Sequence, residues 1–165
     1  MRRLVLAAVS LAFPAACQAD TTELTQEQKA EIEQEVRGLD DDLIAFAGNA
    51  EAEGFLSLFE QSDDLTFAMY GAVHSSWSSW DGIVKRGFSR IREAEVESCE
   101  WSERHYQVLA PTVAVFTAVV RCFGPTAAGS VTLVDHTWSA VWAYGEGRWR
   151  IVNFAETYRR AGPAG

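Results

Sequence analysis

The segment that decides the fold runs from Val131 to Tyr158 and reads VTLVDHTWSAVWAYGEGRWRIVNFAETY. Two runs rich in Trp, Tyr, Phe, Val and Ile flank a glycine-containing turn, which is typical of two long antiparallel strands. Because side chains alternate along a strand, a two- or four-residue turn predicts one shared aromatic face. The residues predicted for that face are His136, Trp138, Ala140, Trp142, Tyr144, Trp149, Ile151, Asn153 and Ala155. Such a face is either core or pocket wall.

Helical and strand patterns continue upstream of this hairpin. Apolar residues recur at helical spacing from Ile32 to Ala47, after a Thr25/Gln28 capping box. We predict a short second helix at 52–60, a strand at 65–70, a third helix from about Ser79, and strands at about 94–109 and 112–123. Three helices followed by a run of antiparallel strands predict one α+β domain, with the helices on one face of a curved sheet.

The third helix has one clear apolar face. Trp80, Ile83, Val84, Gly87, Phe88 and Ile91 are spaced to share it. The first helix carries many acids off its apolar stripe, and we predict that they form a solvated face. These acids are Glu27, Glu31, Glu33, Glu35, Asp40, Asp41 and Asp42.

Residues 1–19 have the pattern of a secretory signal peptide. Arg2 and Arg3 precede an apolar run that is too short to span a bilayer, and small residues follow. Two cleavage sites stay open. Ala15-Ala16-Cys17 resembles a lipobox, so a signal ending at 16 would leave Cys17 as the acylated first residue of a lipoprotein, whereas the alternative is cleavage after Ala19. Residues 20–25 are predicted to be a tether. We therefore expect an exported protein, periplasmic or anchored to the outer membrane.

The charge balance limits the partners. The chain has 14 Lys and Arg against 23 Asp and Glu, a formal net charge of −9. So acidic a protein is repelled by phosphate backbones and by anionic lipid surfaces. We predict no nucleic-acid function, and membrane association only through the lipid anchor.

Cys99 and Cys122 remain once Cys17 is removed or acylated. In an oxidising compartment an even pair of cysteines favours a disulfide. A tight turn at Ala110-Pro111 would place the two cysteines directly opposite each other on neighbouring strands, within reach of a disulfide. The alternative is two free buried thiols, because one bulge would change the register.

Three stretches resemble one superfamily: FLSLFEQSDDLTF at 55–67, VLAPTVAV at 108–115 and VWAYGEGRWRIVNFAETY at 141–158. They are similar to the nuclear transport factor 2-like (NTF2-like) superfamily, and within it to the SnoaL-like and ketosteroid-isomerase-like group. The resemblance covers residues 26–160. It implies a cone in which three N-terminal helices pack on a curved, mainly antiparallel sheet and enclose a pocket. It also implies a homodimer through the outer sheet face, where Val152 and Phe154 would need a partner.

Enzymes of this group use an acid or base in an apolar pocket. Met69 and Leu43 stand where ketosteroid isomerase has its carboxylate base and its tyrosine, which argues against that reaction. An inward His136 with Asn153 is the alternative catalytic pair, and a histidine bonded to backbone at the sheet edge is the structural reading. Glu156 is predicted to face outward unless its strand bulges. The predicted ligand-binding residues, which would otherwise pack over the core, are Tyr70, His74, Trp77, Trp80, Trp138 and Trp142.

No metal site or cofactor is predicted, because His74, His105 and His136 stand about thirty residues apart without ligand spacing. The sequence favours an exported SnoaL-like domain that binds a small apolar or aromatic molecule without turnover. A lyase, isomerase or hydrolase that uses His136 is the second hypothesis. The third is a structural dimer whose cone is filled by its own tryptophans.

Overall fold

The computed structural model describes residues 23–126 and 129–158, and it describes their side chains except those at 125–126, 129–135 and 158. The predicted signal peptide, Cys17 and most of the predicted tether lie outside the described residues. Three helices and six strands follow one another along the chain. In order, they are α1 (Gln26–Gly48), α2 (Ala52–Ser57), β1 (Thr66–Met69), β2 (Ala72–Ser75), α3 (Trp77–Glu93), β3 (Ser98–Ala110), β4 (Val113–Thr126), β5 (Gly129–Gly145) and β6 (Arg148–Tyr158).

The six strands form one sheet in the order β2-β1-β6-β5-β4-β3. All neighbours are antiparallel except β1 and β6, which run parallel. The inner face of the sheet and the apolar faces of the three helices share one buried core. The predicted α+β architecture is therefore confirmed, with β2 as a short strand that the sequence pattern did not reveal.

Side-chain caps fix where α1 and α3 begin. The Thr25 hydroxyl accepts from the Gln28 backbone N–H at 3.2 Å, and Gln28 Oε1 accepts from the Thr25 N–H at 2.9 Å, which completes the predicted capping box. Helix α3 begins two residues earlier than predicted, because Ser76 caps it by accepting from the Ser79 N–H. At the other end of α1, a Cβ on Gly48 would lie 3.1 Å from the Cys99 backbone nitrogen, so this glycine permits close contact between α1 and β3.

A two-residue turn joins β5 to β6, which is the shorter of the two turn lengths that were predicted. Gly145 pairs with Arg148, and Glu146 and Gly147 both have positive φ, at 53° and 80°. Two successive left-handed residues match the twist of the flanking strands, which is why such turns close hairpins.

A β-bulge in β6 corrects the predicted faces of this strand. Trp142 pairs with Ile151 but Val141 pairs with Asn153, so Val152 has no directly opposed residue on β5. The extra residue reverses the alternation beyond it. Phe154, predicted outward, is inward and only 1% exposed, whereas Asn153 is exposed. The predicted inward position of Asn153 is therefore wrong, and so is the predicted outward position of Phe154.

The β3/β4 hairpin turns at Pro111-Thr112, one residue later than predicted, since Ala110 pairs with Val113. Two register shifts along β3 then bring Cys99 directly opposite Cys122. The disulfide between them is present, with Cα atoms 4.0 Å apart. Closing a loop with a sequence separation of 23 residues stabilises the fold by about 3 kcal/mol in the chain-entropy account. The disulfide prediction is confirmed, although the register that produces it is more irregular than expected.

Within the described residues, no helix is long and apolar enough to cross a membrane. The same part of the chain contains no group of three or more His, Cys, Asp or Glu residues arranged to hold a metal ion.

Candidate functional site

A cavity of about 160 Å³ lies between the helices and the inner face of the sheet. Helix α3 provides much of its wall through the apolar face predicted from the sequence. The lining residues from this helix are Trp80, Ile83, Val84, Gly87, Phe88 and Ile91. An apolar cavity of about 150 Å³ in another protein holds one benzene ring, so this volume suits one ring or a short chain.

The opposite wall comes from the sheet and from α1. Trp101, Val120 and Trp138 line it from β3, β4 and β5, and α1 adds apolar residues one turn after Asp40. These sheet residues alternate with outward-facing neighbours, so each strand contributes only its inner positions. Three tryptophans thus border the cavity without filling it.

Three residues with polar side chains complete the lining: Tyr70, His136 and Glu156. Tyr70 sits in the turn between β1 and β2 with a positive φ of 53°, and its side chain is 74% exposed. Glu156 reaches the cavity because the β6 bulge turns it inward. Trp138 on β5 pairs directly with Glu156 on β6, and His136 pairs with Tyr158, two residues further along β6. The histidine and the carboxyl therefore lie on neighbouring strands and on the same face of the sheet. Among the described residues that line the cavity there is no Lys or Arg.

The predicted site residues divide into two groups. Tyr70, Trp80, His136 and Trp138 line the cavity. The remaining four are outside the lining. His74 stacks on Phe67, with ring centroids 5.0 Å apart, at the edge of the sheet.

The other three have structural contacts that explain their positions. Trp77 is the first residue of α3 and packs, partly buried, against the core. Trp142 is fully buried and donates to Asp40. Asn153 donates to the Thr66 backbone oxygen at 3.1 Å and to its hydroxyl at 2.6 Å, so its side chain links β6 to β1 on the outer face.

Sequence reasoning left the orientation of one acidic residue open and placed another wrongly. Glu156 was expected to face outward without a bulge, and the apolar residues at 151, 152 and 154 were a signal that the alternation could shift there. Asp40 was assigned to the solvated acidic face of α1. It is instead 0% exposed, and its spacing of three and four residues from Leu43 and Ile44 would have placed it on the apolar stripe.

Asp40 is held behind the cavity wall by two tryptophans. Its Oδ1 accepts from Trp142 Nε1 at 3.1 Å, and its backbone oxygen accepts from Trp101 Nε1 at 2.7 Å. Burial raises the pKa of Asp40 to about 8, partly offset by the Trp142 hydrogen bond and by Tyr106. The Tyr106 interaction falls short of hydrogen-bond geometry, since neither the Tyr106 hydroxyl nor Asp40 Oδ2 completes a hydrogen bond. Through its backbone oxygen, Asp40 positions Trp101 and so supports the cavity without lining it.

We expect the free energy of unfolding to fall as the pH rises from about 4 to about 8. The folded state holds the Asp40 proton up to a pKa of about 8, whereas the unfolded chain releases it near 3.8. Below both values the carboxyl is neutral in each state and contributes nothing. Between them stability declines by up to about 1.4 kcal/mol for each pH unit, and above them the loss is complete.

Urea denaturation over this pH range tests this expectation in the parent protein, in Asp40→Asn and in Asp41→Asn. The Asp40→Asn substitution should flatten the decline and make the protein more stable than its parent at pH 8. Asp41, which pairs with Arg104 at 2.6 Å on the surface and contributes least to the raised pKa of Asp40, is the matched control and should retain most of the parent's slope. Parallel curves for the parent and Asp40→Asn would contradict this account of the buried carboxyl.

Comparison with known proteins was made by sequence and by structure. No protein-family model and no curated protein sequence matches the chain. Solved structures do match. An NTF2-like protein with a cystatin-like fold from Novosphingobium aromaticivorans has a TM-score of 0.68 at 14% identity, over 84% of this chain and 88% of that one.

Two further solved structures are also similar to this chain in fold. A protein of unknown function from Mycobacterium tuberculosis has a TM-score of 0.65 at 20% identity, over 81% of this chain and 75% of that one. The association domain of Caenorhabditis elegans CaMKII has a TM-score of 0.65 at 18% identity, over 81% and 99% of the two chains. Identities this low establish the fold and not the activity. This chain therefore has the NTF2-like, cystatin-like fold, which confirms the NTF2-like fold that the resemblance implied.

Proposed function

We propose that the protein binds one small apolar or aromatic molecule, about the size of a single ring, in the cavity beneath α3. The observation that carries this proposal is a 160 Å³ space lined by apolar side chains from all three helices and from four of the six strands, with polar groups from Tyr70, His136 and Glu156. Apolar walls with a few convergent polar groups are typical of small-molecule sites.

The cost of an empty cavity supports a binding role. Apolar walls around an unfilled space lack the contacts and the burial that a bound apolar molecule restores, at roughly 25 cal/mol per Å² of apolar surface removed from water. The structural alternative, in which the tryptophans fill the cone, is weaker because Trp80, Trp101 and Trp138 border the space and leave it open.

Gly87 offers a direct test because its missing side chain borders the cavity. A Cβ placed on it meets no atom within 4 Å, and the same holds for Gly38, which is exposed on α1. We expect Gly87→Leu to fill the cavity and to reduce the affinity for benzyl alcohol by at least about tenfold. Gly38→Leu should gain only helix propensity, about 1 kcal/mol, and leave binding unchanged.

Calorimetric titration measures the affinity and the melting temperature measures the stability, in the parent protein, in Gly87→Leu and in Gly38→Leu. In the parent, a ring compound at about 100 times its dissociation constant should add about 2.7 kcal/mol of stability. If single-ring compounds do not shift the parent's melting temperature, and Gly87→Leu stabilises no more than Gly38→Leu, the cavity is not a binding site.

A second candidate is an enzyme that moves a proton on the bound molecule. It is favoured by the β6 bulge, which turns Glu156 inward on the strand beside His136, so that a carboxyl and an imidazole both border an apolar cavity. The histidine would act as the base and Tyr70 at the rim as a helper. Asn153 lies on the outer face and therefore takes no part in the proposed proton transfer.

Deuterium exchange separates binding from proton transfer. Cyclohexanone is a single ring with exchangeable hydrogens beside its carbonyl, and nuclear magnetic resonance follows their replacement in heavy water. An enzyme should accelerate the exchange above the buffer rate and lose the acceleration in His136→Asn, with cyclohexanone still bound. Exchange at the buffer rate in the parent, under conditions where cyclohexanone binds, would exclude this proton-transfer role.

We also propose that the protein is exported. The signal-peptide pattern at residues 1–19 supports export, and a structural disulfide between Cys99 and Cys122 is typical of oxidising compartments. Acylation at Cys17 and cleavage after Ala19 give products of different mass, so the intact mass of the chain purified with its own signal decides between a lipoprotein and a free periplasmic protein.

We further propose a homodimer through the outer sheet face. Val115 pairs with Val141 and Val113 with Ala143, and all four side chains are partly exposed on that face. The association domain among the structural matches has the same fold and is named for assembly. Because Phe154 is inward, these residues of β4 and β5 replace it as the expected contact surface.

Light scattering coupled to gel filtration tests the dimer. Val141→Lys would bury a charge at the proposed interface and should give a monomer. Val73→Lys places the same change on β2, at a side chain that is 81% exposed, and should leave the mass unchanged. A dimer that survives Val141→Lys, or a parent protein that is monomeric at high concentration, would contradict this interface.

A further inference from the structure

The cavity wall contains a carboxylate directly beside an indole. Glu156 on β6 and Trp138 on β5 are cross-strand partners, and both line the cavity. Directly opposed residues have Cβ atoms about 4.5–5.5 Å apart. A group bound against Trp138 therefore lies within reach of the Glu156 carboxyl.

The indole side of this pair is held rigidly. Phe154 stacks on Trp138 with ring centroids 4.8 Å apart and an interplanar angle of 15°. Phe154 is not part of the cavity lining, so the opposite face or the edge of the Trp138 ring borders the cavity. With Trp80 and Trp101, three indoles surround the same space. Tryptophan is the aromatic side chain that attracts cations most strongly over its face.

The charges around the cavity favour one sign of ligand. Among the described residues, its lining includes the carboxyl of Glu156, the imidazole of His136 and no Lys or Arg. Both Glu156 and His136 interact with other groups of the protein. A carboxylate has about four acceptor positions, so Glu156 can accept from a bound donor in addition to a protein partner. An anionic ligand would meet the carboxylate without a compensating lysine or arginine, whereas a buried ammonium would find the paired charge that it needs.

We propose that the ligand is a small organic cation, an amine or quaternary ammonium carried on one ring or a short apolar chain. Its apolar part occupies the space under α3, and its positive group lies between Glu156 and the Trp138 ring. This inference rests on the proposed binding function, because it specifies the class of molecule that the same cavity accepts. Cation recognition by tryptophan and by a charge-assisted hydrogen bond together supports a preference of about ten- to a hundredfold over a neutral molecule of the same shape.

Three ring compounds of nearly equal size test the preference: benzylammonium, benzyl alcohol and benzoate. Titration calorimetry at one near-neutral pH compares them in the parent protein, in Glu156→Gln and in Glu146→Gln. Glu146→Gln removes the same charge in the exposed β5/β6 turn and controls for the net charge of the chain. We expect benzylammonium to bind at least about tenfold more tightly than benzyl alcohol, and benzoate to bind most weakly.

The variants assign the preference to one residue. Glu156→Gln should bring the ratio of the benzylammonium and benzyl alcohol affinities close to one, and a cooperative melting transition shows that the variant is folded. Glu146→Gln should retain the parent's order. If benzyl alcohol binds as tightly as benzylammonium, or if Glu156→Gln leaves the preference intact, the cation inference is wrong and the binding proposal stands. If none of the three compounds binds and Gly87→Leu has no effect on stability beyond that of Gly38→Leu, both are wrong.

Discussion

The unpaired Val152 is the constraint on which the inner face of the sheet depends. Because β5 has no residue directly opposite it, the alternation of β6 changes after this position. Before the bulge, Trp149 and Ile151 face the helices, and after it Phe154 and Glu156 do so. Without the extra residue, Asn153 would lie on the inner face and the Glu156 carboxyl would face outward. One irregular pairing thus decides whether the cavity is lined by a charged residue.

The same bulge connects packing with chemistry. Phe154, turned inward, stacks on Trp138 and lies within 4.5 Å of Trp80 between ring centroids. These contacts fix two of the three tryptophans that border the cavity, so the position of the apolar wall and the position of Glu156 have one origin. Rigid aromatic support of this kind preorganises a site, and it reduces the ordering cost when a ligand binds.

A second carboxyl, which is fully buried, has a different role. Asp40 accepts hydrogen bonds from Trp101 and Trp142 and is completely enclosed, so its ionised form is disfavoured at neutral pH. It lies behind the wall that Trp101 forms, and it ties α1 to β3 and β5. The chain therefore uses the backbone oxygen and the carboxyl of Asp40 to hold Trp101 and Trp142 in place, and it presents the carboxyl of Glu156 to the cavity. The Cys99–Cys122 disulfide fixes the far end of the same β3/β4 hairpin.

The sequence by itself determined the order of the elements other than β2, the α+β fold class, the apolar face of α3, the last hairpin and the disulfide partners. These features follow from local patterns: helical spacing, strand alternation, turn residues and an even cysteine pair. Only the tertiary structure decided which acids are buried and which faces β6 presents. A single bulge shifts every later side chain by one position, and the sequence pattern did not fix where it falls. Asp40 was misplaced because its burial depends on Trp101 and Trp142, more than sixty and one hundred residues away along the chain.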